Sequence, residues 1–364
     1  MSRTVLVAPD SFKGTLSASR AAAAIAEGWL SRRPADRMTL LPLADGGEGT
    51  LDALGAAVPG SVLHTVGPVT GPDGRPTPGA WLELPGRIAV VELAQCSGLP
   101  LMDELDPLGA STIGLGEVIA AALSARARSV VVALGGSAST DAGMGALTAL
   151  GLQVRDAAGS PLPPGGAALA RAAALDAGSL LAPPPGGVTL LTDVDAPLLG
   201  PRGAAAIFGP QKGADPERVA QLESALEHLS RLAGGLPDAP GAGAAGGTAY
   251  GFATLWQASI LPGAAEIGSL SGLPAAIAAA DVVITGEGRF DEQSLGGKVV
   301  GHVLGSLGAA TGAVIAGALG SRPEVDGKRV WAASLTDLAG STEKAMADPE
   351  HWLRIAGAQA ADAL

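Results

Sequence analysis

The apolar residues of the chain fall into short continuous runs separated by longer stretches rich in alanine. Residues 4–8 (TVLVA) form a run typical of a buried strand, and the stretch after it predicts a helix capped by Thr15 or Ser17. Residues 38–43 predict a second strand, which is followed by a glycine-rich turn and a helix from about Thr50. This alternation predicts an α/β fold with a largely parallel sheet.

The same alternation returns at the C-terminal end of the chain. Residues 281–285 (DVVIT) form the clearest buried strand, and residues 313–316 and 330–333 predict two more. In open α/β sheets, ligands bind beyond the carboxyl ends of the strands. Because glycine-rich polar segments follow several of these strands, we expect the functional site at those ends.

The two terminal segments are predicted to form one domain. Residues 1–60 and 276–364 would together build a discontinuous, doubly wound parallel sheet of the Rossmann or flavodoxin-like kind. Residues 61–275 would form a second, inserted α/β domain, and we expect the active site in the cleft between the two. The candidate strands of the inserted domain are residues 80–84, 88–93, 129–134 and 188–192.

Composition and charge exclude several classes of protein. Hydrophobic residues make up 47% of the 364 residues, which argues against global disorder despite 54 glycines and 27 prolines. The net charge of −12 argues against nucleic acid or an anionic membrane as partner. No apolar run approaches the ~18 residues of a membrane span, and residues 1–10 resemble a strand rather than a signal peptide, so we expect a cytoplasmic protein. The single cysteine, Cys96, excludes an intramolecular disulfide and a cysteine-based zinc site.

The first polar segment after a strand is residues 9–14 (PDSFKG). It places Asp10, Ser11 and Lys13 beside a helix start, where free N–H groups and an ammonium group suit an anion. A capped turn with a solvated lysine is the alternative. The segment by itself leaves both interpretations open.

The second segment, residues 44–50 (ADGGEGT), contains three glycines that let the backbone approach a ligand closely. Asp45 is a candidate hydroxyl partner or base. Glu48 sits in the first turn of the predicted helix, where a carboxylate also has a purely structural use. Asp45 is therefore the better functional candidate of the two.

Two further segments lie in the middle of the chain. Residues 135–143 (GGSASTDAG) follow a predicted strand and suit a phosphate-binding nest, although a tight strand-to-helix turn explains them nearly as well. Residues 192–195 (TDVD) carry Asp193 and Asp195, which share one face in extended geometry. Such a pair suits Mg²⁺ or a substrate hydroxyl, with a structural turn as the alternative.

The fifth segment, residues 285–291 (TGEGRFD), follows the clearest strand and leads on to Lys298. Arg289 has the fork geometry that binds a carboxylate or phosphate. Asp291 is suited to orient a nucleophile or a metal-bound water, and Lys298 adds a point charge. Because packing alone does not explain so many charges in a glycine-rich segment, a functional role is favoured. With Lys13, these cations predict a small basic island in an acidic protein.

These segments together resemble the signatures of the bacterial type 1 glycerate kinases (glycerate 2-kinases). The resemblance rests on ordered matches at residues 8–14, 44–50, 111–117, 208–214, 241–247 and 285–298. The chain departs from the family pattern at Thr140, where asparagine is usual, at Ala142, where glycine is usual, and at Ala196, where asparagine is common. The departures leave substrate preference open.

The resemblance implies ATP-dependent phosphorylation of D-glycerate by direct transfer with Mg²⁺, and it favours 2-phosphoglycerate as product. It also implies two α/β domains, one of them discontinuous. A metal-dependent phosphatase and a non-catalytic protein that binds a sugar acid or nucleotide are the alternatives. Neither nucleic acid nor membrane is expected as partner, and a homodimer is left open.

The site candidates fall into groups by expected role. Catalysis is assigned to Lys13, Asp45, Asp193, Arg289, Asp291 and Lys298, with Asp193 as the base. Substrate binding is assigned to Asp10, Ser11, Lys13, Asp45, Gly46, Glu48 and Arg289. ATP binding is assigned to Gly135, Gly136, Ser137, Ser139, Thr140, Asp141, Lys212, Gly243 and Gly246. Asp193 and Asp291 are the predicted metal ligands.

Overall fold

The computed structural model describes residues 2–296, 298–325 and 328–364. Gly297, which falls within the family match at residues 285–298, and Met1 lie outside the described residues. The chain divides into two compact units. Unit 1 comprises the residues up to Asp45, Asp52–Pro59 and Pro262–Leu364, and unit 2 comprises Gly46–Leu51 and Gly60–Leu261.

The described residues form strands and helices in alternation. The strands are β1 (Thr4–Val7), β2 (Arg37–Leu40), β3 (Val62–Thr70), β4 (Pro76–Leu84), β5 (Ile88–Glu92), β6 (Ser129–Ala133), β7 (Gln153–Arg155), β8 (Ala174–Asp176), β9 (Val188–Leu191), β10 (Ser259–Leu261), β11 (Val282–Phe290), β12 (Thr311–Leu319), β13 (Glu324–Val325), β14 (Lys328–Arg329) and β15 (Trp331–Ser334). The helices are α1 (Ala18–Leu30), α2 (Thr50–Ala57), α3 (Leu93–Ser97), α4 (Ile113–Ser124), α5 (Met144–Ala149), α6 (Ala204–Phe208), α7 (Pro216–Ala233), α8 (Ala244–Trp256), α9 (Gly263–Leu270), α10 (Leu273–Ala278), α11 (Val299–Gly305), α12 (Leu335–Ala339), α13 (Thr342–Ala347) and α14 (Pro349–Ala363). Short 3₁₀ helices cover Leu99–Leu101, Gly166–Arg171, Pro210–Lys212 and Glu292–Leu295.

Unit 1 is built on a five-stranded parallel sheet in the order β15-β12-β11-β1-β2. On one face, Val7 and Ile284 share a hydrophobic core with Trp29 of α1. Leu6 and Val283 alternate with them along the strands and are also fully buried. Both faces of the sheet are therefore covered, which explains why its strands are continuous apolar runs in the sequence.

Unit 2 is built on a six-stranded mixed sheet in the order β10-β9-β6-β5-β4-β3. The strands from β10 to β5 run parallel, whereas β4 and β3 are antiparallel additions at one edge. Leu115 and Ile119 of α4 join Phe252 and Trp256 of α8 in its core. The described residues thus form an α/β structure with two large sheets, as the sequence predicted, and β7-β8 and β13-β14 form two small two-stranded sheets.

The path of β11 corrects one expectation. The sequence predicted a loop over residues 285–291, but β11 continues to Phe290 and stays paired with β12 as far as Leu319. Glycine is required within this pairing, because a Cβ on Gly286 would lie 2.0 Å from the carbonyl oxygen of Ile315. Glycines that suggest a loop therefore serve here to keep two strands together.

None of the helices in the described ranges combines the length and the apolar composition that are needed to cross a lipid bilayer.

The packing of α1 against α14 depends on two glycines. A Cβ on Gly28 would lie 2.0 Å from the carbonyl oxygen of Arg354, and one on Gly357 would lie 2.3 Å from that of Ile25. Since both contacts are with backbone atoms, no side-chain rotation relieves them. The two helices approach this closely only because neither position carries a side chain.

We predict that Gly28→Ala destabilises the protein by about 1–3 kcal/mol, the usual cost of overpacking. The loss should occur although alanine favours a helix by ~1 kcal/mol over glycine. Gly305→Ala in α11 is the matched control, because a Cβ there meets nothing within 4 Å. The midpoint of urea unfolding measures both, and equal midpoints for the two variants would contradict the packing.

Candidate active site

A pocket of ≈ 360 Å³ lies in unit 1 at the carboxyl ends of β1 and β11. Its volume is within the about 300–1,000 Å³ that is typical of small-molecule sites. In the described part of the chain, its charged lining residues are Asp10, Lys13, Asp45, Glu287, Arg289 and Lys298. One small cavity thus combines cationic groups with carboxylates.

Main-chain hydrogen bonds bring the first predicted segment against the fifth. The Ala8 N–H donates to the carbonyl oxygen of Ile284, and the Asp10 N–H donates to that of Gly286, both at 2.8 Å. The Thr285 hydroxyl also donates to the Ala8 carbonyl at 2.8 Å. The pairing of β1 with β11 therefore extends past the end of β1 and fixes the backbone of Asp10.

Asp10 is a buried carboxyl in the unit 1 pocket. One of its oxygens accepts a hydrogen bond from the Ser11 N–H at 2.6 Å. Burial, followed by the charges of Asp45 and Glu287, raises the pKa of Asp10 to about 7, although the Ser11 N–H and Lys13 oppose the shift. Asp10 therefore changes its charge near neutral pH, which suits a proton acceptor.

The cations of the pocket have carboxylate neighbours. Lys13 Nζ lies 3.0 Å from an Asp45 oxygen, and Arg289 Nε lies 3.7 Å from an Asp291 oxygen. Burial lowers the pKa of Lys13, but the charge and hydrogen bond of Asp45 outweigh it, so the net shift is upward. The expected basic island is thus a balanced cluster, because the strand and loop that supply the cations also supply acids.

Glu287 is a pocket residue that the sequence candidates do not include. It lies on β11 and is only 7% exposed. Burial raises the pKa of Glu287, while a hydrogen bond from Ser294 and the charge of Lys298 oppose the shift. No described residue donates a hydrogen bond to its buried Oε1. Recognising that residues 285–290 are a strand would have pointed to it, since it shares a face with Arg289.

Asp291 is placed just outside the pocket lining. Its carboxylate accepts the Gln293 N–H at 3.0 Å, and its own N–H donates to Ser294 Oγ at 3.0 Å. These bonds form a capping box at the 3₁₀ helix Glu292–Leu295. Asp291 thus has a structural use in addition to its position beside Arg289.

Unit 2 has a glycine-lined pocket of its own, also ≈ 360 Å³ in volume. Five of the predicted ATP-binding residues line it: Gly135, Gly136, Ser137, Lys212 and Gly246. Left-handed backbone at Gly136 (φ +79°) and at residues 245–247 turns the chain tightly around the cavity. The two glycine-rich segments therefore meet in one concave site.

Lys212 is buried in the wall of the unit 2 pocket, where its ammonium group donates to the carbonyl oxygen of Ser139. Burial lowers the pKa of Lys212 to about 8, although the charge of Asp141 opposes the shift. A lysine held in this way supplies positive charge beside a glycine-rich loop, which suits an anionic ligand.

Asp141, Ser139, Thr140 and Gly243 do not line this pocket. The buried Asp141 carboxylate accepts hydrogen bonds from the N–H and hydroxyl of Thr112 at 2.9 and 2.8 Å, and from the N–H groups of Gly143 and Gly145 at 3.1 and 3.2 Å. Its contacts therefore hold the loop in shape. Ala142 adopts φ +53°, a left-handed conformation that suits glycine better and explains why a family pattern has glycine there.

The second predicted segment is held within unit 2 by a residue that the sequence did not single out. The buried Glu92 carboxylate accepts the N–H groups of Gly49 and Leu51, each at 3.1 Å. The Gly135 N–H donates to the carbonyl oxygen of Gly46 at 3.1 Å. Gly46 and Glu48 thus belong to unit 2, whereas Asp45 lines the unit 1 pocket.

Asp193 follows β9, and its neighbours Thr192 and Val194 line the unit 2 pocket. The side chain of Asp193 is half-buried, whereas that of Asp195 is exposed. The two carboxylates, which the sequence predicted to share one face, therefore differ in their access to solvent.

Comparison with known proteins identifies the family of the chain. A model of the glycerate kinase family matches residues 5–364. The chain belongs to the glycerate kinase family. It is 41% identical over 303 residues to a glycerate kinase of Bacillus subtilis, covering 81% of this chain and 79% of that protein. It is 38% identical over 304 residues to the glycerate 2-kinase of Escherichia coli, with 81% and 79% covered.

A solved structure of a glycerate kinase 2 from Salmonella typhimurium LT2 is similar throughout. Its TM-score is 0.84 at 34% identity, and the match covers 100% of this chain and 98% of that one. The family resemblance seen in the sequence is therefore confirmed. As a member of the glycerate kinase family, the chain is a kinase.

In this glycerate kinase family member, the structure gathers some predicted site residues and separates others. The unit 1 pocket contains Asp10, Ser11, Lys13, Asp45, Arg289 and Lys298. Gly46, Glu48, Asp193 and the ATP-binding candidates belong to unit 2. The sequence missed Glu287 and Glu92, because their roles depend on strand geometry and on a long-range contact.

The depressed pKa of Lys212 predicts a pH-dependent stability. The unfolded lysine has a pKa of 10.5 and the folded one about 8. Between these values the unfolded chain binds the extra proton, so the free energy of unfolding rises with pH. We predict that wild type gains stability relative to Lys212→Met between pH 8 and pH 10.5 in urea unfolding. Parallel stability curves for the two proteins would contradict this.

Proposed function

We propose that the chain phosphorylates D-glycerate, that ATP is the phosphoryl donor with Mg²⁺, and that 2-phosphoglycerate is the product. The observation that carries the proposal is the unit 1 pocket, which offers cations and buried carboxylates side by side. D-Glycerate presents a carboxylate and two hydroxyls, the groups that this set complements. The names of the Bacillus subtilis and Escherichia coli relatives support the substrate, and the second supports the product.

Arg289 and Lys298 are the groups that bind the glycerate carboxylate. The Arg289 side chain is 71% exposed at the pocket, so its guanidinium is open to a bidentate contact. Lys13, which stays protonated beside Asp45, supplies charge where the phosphoryl group is transferred. Phosphoryl transfer depends mainly on such positioning and charge neutralisation.

Asp10 accepts the proton of the attacking hydroxyl. It is buried in the pocket that holds the cations, and its pKa of about 7 keeps a fraction of it ionised at neutral pH. The sequence favoured Asp193 for this task. Asp10 is preferred here because it lies in the cavity that binds the substrate, whereas Asp193 adjoins residues of the unit 2 pocket.

The unit 2 pocket binds the phosphates of ATP. Backbone N–H groups around Gly135 and Gly136 and the ammonium group of Lys212 are the expected partners. Ser137 and Gly246 complete the lining. Ser139, Thr140, Asp141 and Gly243 support the loops from behind.

Mg²⁺ fits the chain as an ion that arrives with the nucleotide. Mg²⁺ is usually held by one or two carboxylates together with phosphates and water. Across the described ranges, no group of three or more His, Cys, Asp and Glu side chains could hold a metal ion alone. Asp193, whose neighbours line the unit 2 pocket, is the carboxylate that would hold it there, and the ion would neutralise charge on the phosphates. The other predicted ligand, Asp291, caps the 3₁₀ helix Glu292–Leu295 in unit 1.

A coupled assay for ADP tests the function. We expect ADP release that requires D-glycerate, ATP and Mg²⁺, with 2-phosphoglycerate identified by phosphorus NMR. A phosphatase would instead release phosphate from a phosphoester without ATP, and a binding protein would show no turnover. Absence of glycerate-dependent ADP release from folded protein would overturn the proposal.

We predict that Arg289→Ala lowers kcat/KM for D-glycerate by roughly tenfold or more, because a charge contact to the transition state is lost. Arg37→Ala is the matched control, since Arg37 is an exposed arginine of unit 1 on β2, outside the pocket. Near-normal activity in a folded Arg289→Ala protein would show that the carboxylate binds elsewhere.

We predict that kcat/KM falls as the pH drops through about 7, because protonated Asp10 can no longer accept a proton. Asp10→Asn should lower kcat by about 10²–10⁴-fold and remove this acidic limb. Asp362→Asn, at an exposed carboxylate of α14, is the control. An acidic limb that persists in Asp10→Asn would assign the base to another residue.

A further inference from the structure

Glu287 is a buried carboxyl whose role the proposed reaction has not used. It lies on β11, lines the unit 1 pocket and is 7% exposed, whereas the side chain of Arg289, two residues further on, is 71% exposed. Residues two apart on a strand point to the same face and are separated by about 6.6 Å. The two side chains therefore mark a buried end and an open end of one short cavity.

The carboxylate of Glu287 has unused hydrogen-bonding capacity. Ser294 donates to the side chain, and Lys298 lies close enough for its charge to act on it. No residue in the described part of the chain donates to Oε1. Leaving a buried acceptor without a donor costs free energy, so a pocket that keeps one is suited to a ligand that brings the donor. Because Glu287 lines the cavity, a ligand bound there can reach its carboxylate.

The charges around Glu287 decide which ligand group fits. Asp10 lines the same pocket, and its carboxyl and that of Glu287 repel one another, while the charges of Lys298 and Lys13 also act on Glu287. A ligand carboxylate beside Glu287 would lie against the carboxyl groups of Glu287 and Asp10, whereas at the open end it is attracted by Arg289. The buried end therefore suits an uncharged donor, and a hydroxyl is the donor that a short hydroxy acid carries.

We infer that Glu287 determines specificity by accepting a hydrogen bond from the substrate hydroxyl that is not phosphorylated. This inference rests on the proposed function, in which Asp10 faces the other hydroxyl. With 2-phosphoglycerate as product, the hydroxyl held by Glu287 is the 3-hydroxyl. The site then selects a dihydroxy acid over an acid that lacks this group. Such selection arises because the missing hydroxyl would leave the buried acceptor unpaired.

The test compares D-glycerate with D-lactate, which keeps the carboxylate and the 2-hydroxyl but lacks the 3-hydroxyl. The readouts are kcat/KM for D-glycerate and the competitive inhibition constant of D-lactate. For Glu287→Leu, we expect kcat/KM for D-glycerate to fall by roughly 10- to 100-fold, the equivalent of one charged hydrogen bond. The inhibition constant of D-lactate should change by less than about threefold, since D-lactate never makes that bond.

Two further variants keep the result interpretable. Glu287→Gln retains an acceptor oxygen and a similar shape, so part of the D-glycerate activity should remain even if Glu287→Leu folds poorly. Glu292→Gln, at an exposed acid in the following 3₁₀ helix, should behave as wild type. Thermal unfolding of each variant reports folding separately from activity.

The outcomes separate the inference from the proposed function. If wild type shows no glycerate-dependent ADP release, the proposed function fails. Suppose instead that wild type turns over D-glycerate, but each Glu287 variant impairs kcat/KM for D-glycerate and inhibition by D-lactate to the same extent, or changes neither value. Glu287 is then structural, and the inference is overturned. A fall in kcat/KM for D-glycerate with little change in the inhibition constant of D-lactate supports the inference.

Discussion

The pairing of β1 with β11 is the interaction on which unit 1 and its pocket depend. Val5 and Val7 pair in parallel register with Val282 and Ile284, which lie about three quarters of the chain length further on. The ladder continues with the hydrogen bond from the Asp10 N–H to the Gly286 carbonyl. Parallel strands need a crossover between them, and here the connection contains all of unit 2. Residues that are remote in sequence thus become neighbours at the strand ends.

Charge balance is the second constraint on the unit 1 pocket. A cluster of lysine and arginine alone would bind anions without discrimination. Asp45 beside Lys13, together with Asp10 and Glu287, balances the cations of the pocket, and Asp291 lies beside Arg289 just outside the lining. Burial then raises the pKa of Asp10 to about 7. This arrangement suits a ligand that has both an acid group and hydroxyls, and it explains how a strongly acidic protein can handle an anionic substrate.

Much of the fold could be predicted from the sequence because its central strands are buried on both faces. Residues 4–8, 88–93 and 281–285 are predominantly apolar for that reason, and each contains or overlaps an observed strand. β3 was missed because most of its residues are exposed or half-buried and its pattern is correspondingly mixed. The end of β11 was missed because glycine within a strand looks like a turn until its partner strand is known.

The site residues were likewise predictable where they depend on local sequence, and not where they depend on distant contacts. Asp10, Lys13 and Arg289 were predicted because they follow apolar runs, where the fold class places ligands. Glu287 and Glu92 could not be predicted, because the use of each depends on which distant backbone lies beside it. The measurement that tests the central claim most directly is a crystal structure with D-glycerate bound. The result expected is density in the unit 1 pocket with the carboxylate at Arg289 and a hydroxyl at Asp10, and D-glycerate bound away from that pocket would contradict the claim.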